Sequence, residues 1–119
     1  MTRAFRLTAP VPSENDVEAG CKTILEFHNY WMVKLHAGLF QSMDCRRKIR
    51  GVPKGTPDYF CGHEFHRNFL LEVKRPGGEL SHDQRCQIEF LERRYRLPVV
   101  VVESAEDLCN FLAKHERSP

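Results

Sequence analysis

No stretch of this chain approaches the ~18 consecutive apolar residues that a membrane-spanning helix needs. Met1-Thr2-Arg3-Ala4-Phe5-Arg6 leads into no signal-peptide core, so the expected location is the cytoplasm, with no membrane partner. The five cysteines (21, 45, 61, 86 and 109) are odd in number, widely spaced and contain no C-x-x-C pair. Several fall within apolar periodic segments, where cysteine behaves as a small hydrophobe. A reduced intracellular protein is therefore favoured over a disulfide scaffold. A large charge excess is missing too: the formal net charge is +2, so bulk charge by itself points to no polyanionic partner. Internal repeats, low-complexity tracts and interdomain linkers are also lacking.

What remains is the composition of a globular protein, with 119 residues, 41% of them hydrophobic and 29% charged. That is enough chain for one domain with a core of its own. Residues 1–12, with Pro10 and Pro12, read as an extended lead-in, 13–115 as a single domain and 116–119 as a tail. Ser13 has the character of an N-cap, with Glu14 and Asp16 in the first turn. Val17, Cys21, Ile24 and Leu25 then recur at helical spacing, predicting a helix over 13–29. Val33, Leu35, Ala37 and Leu39 alternate, predicting a strand over 31–40. The segment 41–56, interrupted by Gly51, Pro53 and Gly55, reads as a long loop. Tyr59-Phe60-Cys61 begins a short strand, and Asn68 to Lys74 forms the next, ended by Pro76-Gly77-Gly78. Ser81 caps a helix carrying Gln84, Ile88, Leu91 and Tyr95, which Leu97-Pro98 breaks. Val99 to Val102 reads as a buried strand, apolar on both faces. Ser104 then caps a last helix with Leu108, Phe111 and Leu112 facing inward. The order is α-β-β-β-α-β-α.

Chemistry concentrates between residues 58 and 84. In Leu71-Glu72-Val73-Lys74, strand alternation sends Leu71 and Val73 to one face and Glu72 and Lys74 to the other. One face enters the core while the other sets a carboxylate beside an ammonium. Asp58, at the start of the preceding strand, can converge with Glu72 on one cation, with the Val73 backbone carbonyl as a third ligand. Hydrolysis of a phosphodiester needs a nucleophilic water, neutralised phosphoryl oxygens and a stabilised leaving alkoxide, and a carboxylate-bound divalent cation serves these needs. Hard oxygen ligands select Mg²⁺ or Mn²⁺. Lys74 is placed to orient the water or offset developing charge. Taken alone, E-x-K is more often an ordinary half-exposed strand with alternating charges.

Basic residues cluster nearby. Arg46, Arg47, Lys48, Arg50 and Lys54 precede Asp58, and with Arg75 they form the expected DNA-binding set; Arg93, Arg94 and Arg96 make a second cluster. Such clusters also occur as solvated loops and helix faces. Cys61, His63 and His66 raise the question of zinc, but no fourth ligand has suitable spacing and the histidines are not an i,i+4 pair. His36 and His82 fit surface positions.

The combination Gly55-Thr56-Pro57-Asp58, Leu71-Glu72-Val73-Lys74-Arg75-Pro76-Gly77-Gly78, Leu80-Ser81 and Gln84 resembles the VRR-NUC family of the PD-(D/E)xK nuclease superfamily, over about residues 13–113. The resemblance implies an α/β restriction-endonuclease-like core, a mixed central sheet flanked by helices, in the order read above. It also implies that Asp58 and Glu72 bind metal, that Lys74 assists the water, that Gln84 lines the site and that a first-helix glutamate joins it. Glu14 and Glu18 are the candidates for that glutamate, with Glu18 preferred. The implied activity is metal-dependent, structure-specific DNA cleavage, of the kind that resolves Holliday junctions as a homodimer. The alternatives are a flap, nicking or restriction-like nuclease, and a non-catalytic DNA-binding module. Tyr30, Trp31, Tyr59, Phe60 and Phe65 are candidates for either a dimer surface or the core.

Overall fold

The computed structural model describes residues 10–36, 39–41 and 48–117, with the side chains of 39–41 and 48–50 outside the description. Helix α1, Glu14–Phe27, starts at a capping box: Asp16 N–H donates to Ser13 Oγ, and the Asp16 carboxylate accepts from Ser13 N–H. Strand β1 is Trp31–Lys34, followed by β2, Leu39–Gln41, and β3, Lys48–Arg50. Then come β4, Tyr59–Gly62, β5, Phe69–Val73, helix α2, His82–Tyr95, strand β6, Val99–Val102, and helix α3, Ala105–His115.

The main sheet has the order β1-β4-β5-β6. Its first two pairings are antiparallel and β5 runs parallel to β6. A parallel pair requires a crossover, and α2 supplies it. Apart from the β2–β3 hairpin inserted after β1, this is the mixed sheet and the element order expected from the sequence. Helices α1 and α3 cover one face, so close that a Cβ on Gly20 would lie 3.1 Å from the Ala105 Cβ. Their Val17, Cys21, Leu25, Leu108 and Leu112 form one core with Phe69, Leu71 and Val73 of β5 and Val102 of β6. Burial of these side chains drives the fold, and truncation of Leu108, fully buried, should cost about 2–5 kcal/mol.

Three expectations fail in instructive ways. The strand foreseen over 31–40 stops at Lys34, which pairs with Tyr59. Beyond it the Leu35 N–H goes to the Asp58 carbonyl at 2.7 Å. The next residue on the partner is Pro57, which has no N–H to extend the ladder. The chain peels away, and the alternation that continues to Leu39 belongs to a separate sheet in which Leu39 pairs with Arg50 and Gln41 with Lys48. The segment 41–56, read as loop, therefore contains β3. The valine strand is not buried on both faces either: β6 is a sheet edge, and Val101 is 38% exposed. Helix α2 has no buried residue, and Phe90 and Tyr95 are exposed.

Candidate active site

Asp58 is anchored from both sides. Its carbonyl accepts the Leu35 N–H from beyond β1, and its Oδ2 accepts the Val73 N–H of β5 at 2.9 Å. Extending the β4–β5 register by one step from Tyr59 and Leu71 sets Asp58 opposite Glu72. The two carboxylates thus occupy adjoining strands at the end of the sheet, where β4 begins and β5 finishes.

Glu72 is 2% exposed, which excludes a half-exposed strand with ornamental charge. Gln84 Nε2 donates to Glu72 Oε1 at 3.0 Å, and the Lys74 ammonium stands 3.7 Å from the same oxygen. The other oxygen, Oε2, is buried with no hydrogen-bond partner. Burial and the neighbouring Asp58 carboxylate push the Glu72 carboxyl up to about 7, against the opposing pull of Lys74. An orphaned carboxylate oxygen is costly in a folded protein. A divalent cation shared with Asp58 would satisfy it.

Gln84 is held by its local sequence. As the third residue of α2 it completes a second capping box: its N–H donates to Ser81 Oγ at 3.1 Å and its Oε1 accepts the Ser81 N–H at 2.8 Å. That bond commits the amide oxygen, so the amide nitrogen must face Glu72. The loop before Asp58 is locked onto the same helix end. Gly55, with φ +87°, lies so close that a Cβ there would fall 2.4 Å from the Asp83 carbonyl oxygen, a position open only to glycine. Lys54 pairs with Asp83 at 3.2 Å on the surface. After Lys74, Pro76 and Gly77 (φ +77°) turn the chain back, with the Gly78 N–H donating to the Arg75 carbonyl at 2.8 Å.

Asp58, Glu72, Lys74 and Gln84 are therefore together, and Val73, 1% exposed between Glu72 and Lys74 in the chain, donates its N–H to the Asp58 carboxylate. Of the two first-helix acids, Glu14 is the one whose charge acts on Glu72. Glu18, preferred on sequence, lines a cavity between α1 and β1. Helical spacing does not separate the two, since Glu14 stands three and seven residues before Val17 and Cys21, and Glu18 the same before Cys21 and Leu25. Arg75 is exposed beside the site and Lys54 is engaged with Asp83. Arg46 and Arg47 lie outside the described residues, and Lys48 and Arg50 are in β3, whose side chains are likewise outside.

Among the described residues no group of three or more His, Cys, Asp or Glu side chains is gathered for a metal. The two carboxylates that meet at this site suit Mg²⁺ or Mn²⁺, since Mg²⁺ commonly keeps several waters and takes one or two protein carboxylates. Cys61 lies in the core and burial pushes its thiol up to about 12, so it packs as a hydrophobe. The His63 and His66 rings lie tilted with their centres 4.5 Å apart, and His66 and His28 approach Glu116. His82 lies 3.4 Å from the Cys86 sulfur. Cys21, Cys61, Cys86 and Cys109 are free thiols. Tyr30 and Tyr59 are buried, whereas Trp31 and Phe65 are exposed.

A sheet of this topology, with an acid before one strand, an E-x-K closing the next and a capping glutamine over both, is the framework of a PD-(D/E)xK-type nuclease. The chain matches the VRR-NUC domain over residues 6–106 and belongs to that family of nuclease domains. No curated protein matches it. No helix among the described residues is long and apolar enough to cross a membrane.

Proposed function

We propose that the protein is a Mg²⁺- or Mn²⁺-dependent endonuclease that hydrolyses phosphodiester bonds in branched DNA, acting on four-way junctions as a homodimer. The observation that carries this reading is Glu72: a buried carboxylate with one oxygen unpartnered, beside Asp58 and Lys74. A surface ornament would be solvated, and a purely structural acid would have its second oxygen hydrogen-bonded.

Each residue has a definite part. Asp58, pinned through its carbonyl and Oδ2, offers its remaining oxygen in a fixed direction, and Glu72 offers Oε2. When bound, the divalent cation supplies charge neutralisation for the phosphate and a more acidic water. Gln84 holds Glu72 in place through Oε1. Lys74, part-buried, sets a fixed positive charge where a phosphoryl oxygen gains charge, and orients the attacking water. Arg75 and the basic segment 46–54 contact the backbone phosphates. Two symmetric nicks across a junction need two such sites, which a C2 dimer provides.

A flap or nicking nuclease would use the same residues and differ in substrate shape and oligomeric state. A non-catalytic DNA-binding module has no use for the orphaned Glu72 oxygen. The test is an end-labelled panel of four-way junction, flap, linear duplex and single strand, with Mg²⁺ or Mn²⁺. Paired nicks on the junction by a protein with the mass of a dimer support the proposal. Cutting confined to flaps or ends removes the resolving role, and no cutting at all removes the nuclease reading.

A further inference from the structure

The main sheet has an open edge at β1. Among the described residues β1 pairs with β4 alone, and the β2–β3 hairpin lies against neither edge of that sheet. The Leu35 N–H bonds to the Asp58 carbonyl, and along an antiparallel strand the bonded and non-bonded positions alternate. Trp31, Val33 and Leu35 therefore turn their N–H and C=O groups toward β4. Met32 and Lys34 turn theirs outward, where the described residues offer no partner. Such edges recruit another strand unless they are covered, kinked or strongly charged. This one instead carries Trp31, 68% exposed and braced edge-on by the Phe60 ring at 6.3 Å.

The edge is complementary to itself. Met32 and Lys34 share the α1 side of the sheet with Cys61 and Tyr59, while Trp31, Val33 and Leu35 take the opposite face with Phe60. Antiparallel pairing of two such strands about an axis through Val33 sets Met32 opposite the partner's Lys34, and every outward N–H and C=O of both residues is then bonded. On the other face Trp31 meets the partner's Leu35, and Val33 meets its own copy. These are non-hydrogen-bonded pairs, in which side chains approach most closely. A cavity between α1 and β1 flanks the edge, with Lys22 and Lys34 balanced by Glu18 and Glu26. A second copy therefore meets no net repulsion there, and the lysines of one protomer can face the glutamates of the other.

We propose that two copies of the chain associate through β1, joining their four-stranded sheets into one continuous sheet about a two-fold axis at Val33. The inference deepens the nuclease reading and rests on it for the dimer that paired nicks call for. Asp58 and Glu72 share the sheet face of Leu35, so a two-fold perpendicular to the sheet keeps both acid pairs on one surface. Asp58 stands opposite Leu35, two residues from the axis and one strand inward. With strands ~4.8 Å apart and ~3.4 Å per residue, the two Asp58 positions lie about 20 Å from each other. Two like sites on a single surface can reach two strands of one junction, and the same contact covers Trp31 and closes the edge.

Trp31 is the single tryptophan of the chain, so its emission reports directly on the contact. Sedimentation of the full chain should show a dimer, and dilution to monomer should shift the emission to longer wavelength. Lys34→Pro removes only an outward N–H, a change that edge strands accommodate, and Trp31→Glu alters an exposed side chain. Each should weaken dimerisation about tenfold or more, with unchanged circular dichroism. Val33→Cys brings two thiols together at the axis and should give a disulfide-linked dimer with diamide above the wild-type background, whereas Val101→Cys on the β6 edge should not. A monomeric wild-type chain, a dimer that survives both β1 variants, or cross-linking through Val101→Cys in place of Val33→Cys would overturn the proposal. Cleavage of a flap substrate is scored separately. Cutting by a monomeric wild-type chain overturns the β1 dimer alone, and a β1 dimer that cuts nothing overturns the nuclease reading and keeps the interface.

Discussion

Replacing Glu72 by Gln in metal-free protein should stabilise the fold at alkaline pH. The substitution keeps the shape and the oxygen that Gln84 contacts at 3.0 Å, but removes a charge that is 2% exposed and whose second oxygen has no partner. The Glu72 carboxyl rises from 4.5 to about 7 in the fold, so between those values the folded chain holds more protons than the unfolded chain. Stability therefore falls as pH rises: the favourable contribution is complete below the unfolded value and lost as pH passes through the folded one. At about 1.4 kcal/mol per unit, the loss is on the order of 3 kcal/mol. Urea titrations in chelator should show Glu72→Gln close to wild type near pH 4.5 and more stable by up to about 3 kcal/mol near pH 9. That corresponds to a difference in thermal midpoint on the order of 10 °C. Added Mn²⁺ should reverse the ranking, because only the wild-type chain keeps both carboxylates and gains stability by mass action. A stability difference that does not change with pH, or a variant weaker than wild type at alkaline pH, would refute the reasoning.

Three further outcomes are expected. Lys74→Ala should slow single-turnover cleavage about 10²–10³-fold while DNA affinity and the urea midpoint stay near wild type; loss of the fold instead would make Lys74 structural. Gly55→Ala places a methyl 2.4 Å from the Asp83 carbonyl at φ +87°, so it should cost about 1–3 kcal/mol and slow cleavage by moving Gln84 off Glu72. Unaltered stability and rate would show that the loop and α2 are not coupled. Neutralising Arg46, Arg47 and Lys48 together should flatten the salt dependence of DNA affinity by roughly 2–3 in log–log slope, and an unchanged slope would take that segment off the DNA surface.

The active-site grouping was legible because its chemistry is local. Alternation put Glu72 and Lys74 on one face, and the Ser81–Gln84 capping box fixed where α2 starts. Helix boundaries followed from Ser13, Ser81 and Ser104, each of which accepts a hydrogen bond from the backbone three residues on. The errors are tertiary. Period-two spacing from Val33 to Leu39 cannot show that the partner strand ends at Pro57, and four consecutive valines cannot show whether their strand lies at the centre or the edge of a sheet. The family pattern favours Glu18 as the first-helix acid, whereas the charge of Glu14 acts on Glu72, an effect that depends on where α1 crosses the sheet. The unpartnered oxygens of Glu72 and Tyr59 have no trace in sequence at all, since satisfaction depends on every neighbour.

The central claim is that Asp58 and Glu72 together hold the ion that cuts DNA, and calorimetric titration of Mn²⁺ into wild type, Asp58→Asn and Glu72→Gln tests it most directly. Wild-type affinity should strengthen as pH rises through about 7, with proton release, because the ion must displace the Glu72 proton, and both variants should lose the binding. Equal Mn²⁺ affinity in the variants and the wild type would contradict the account.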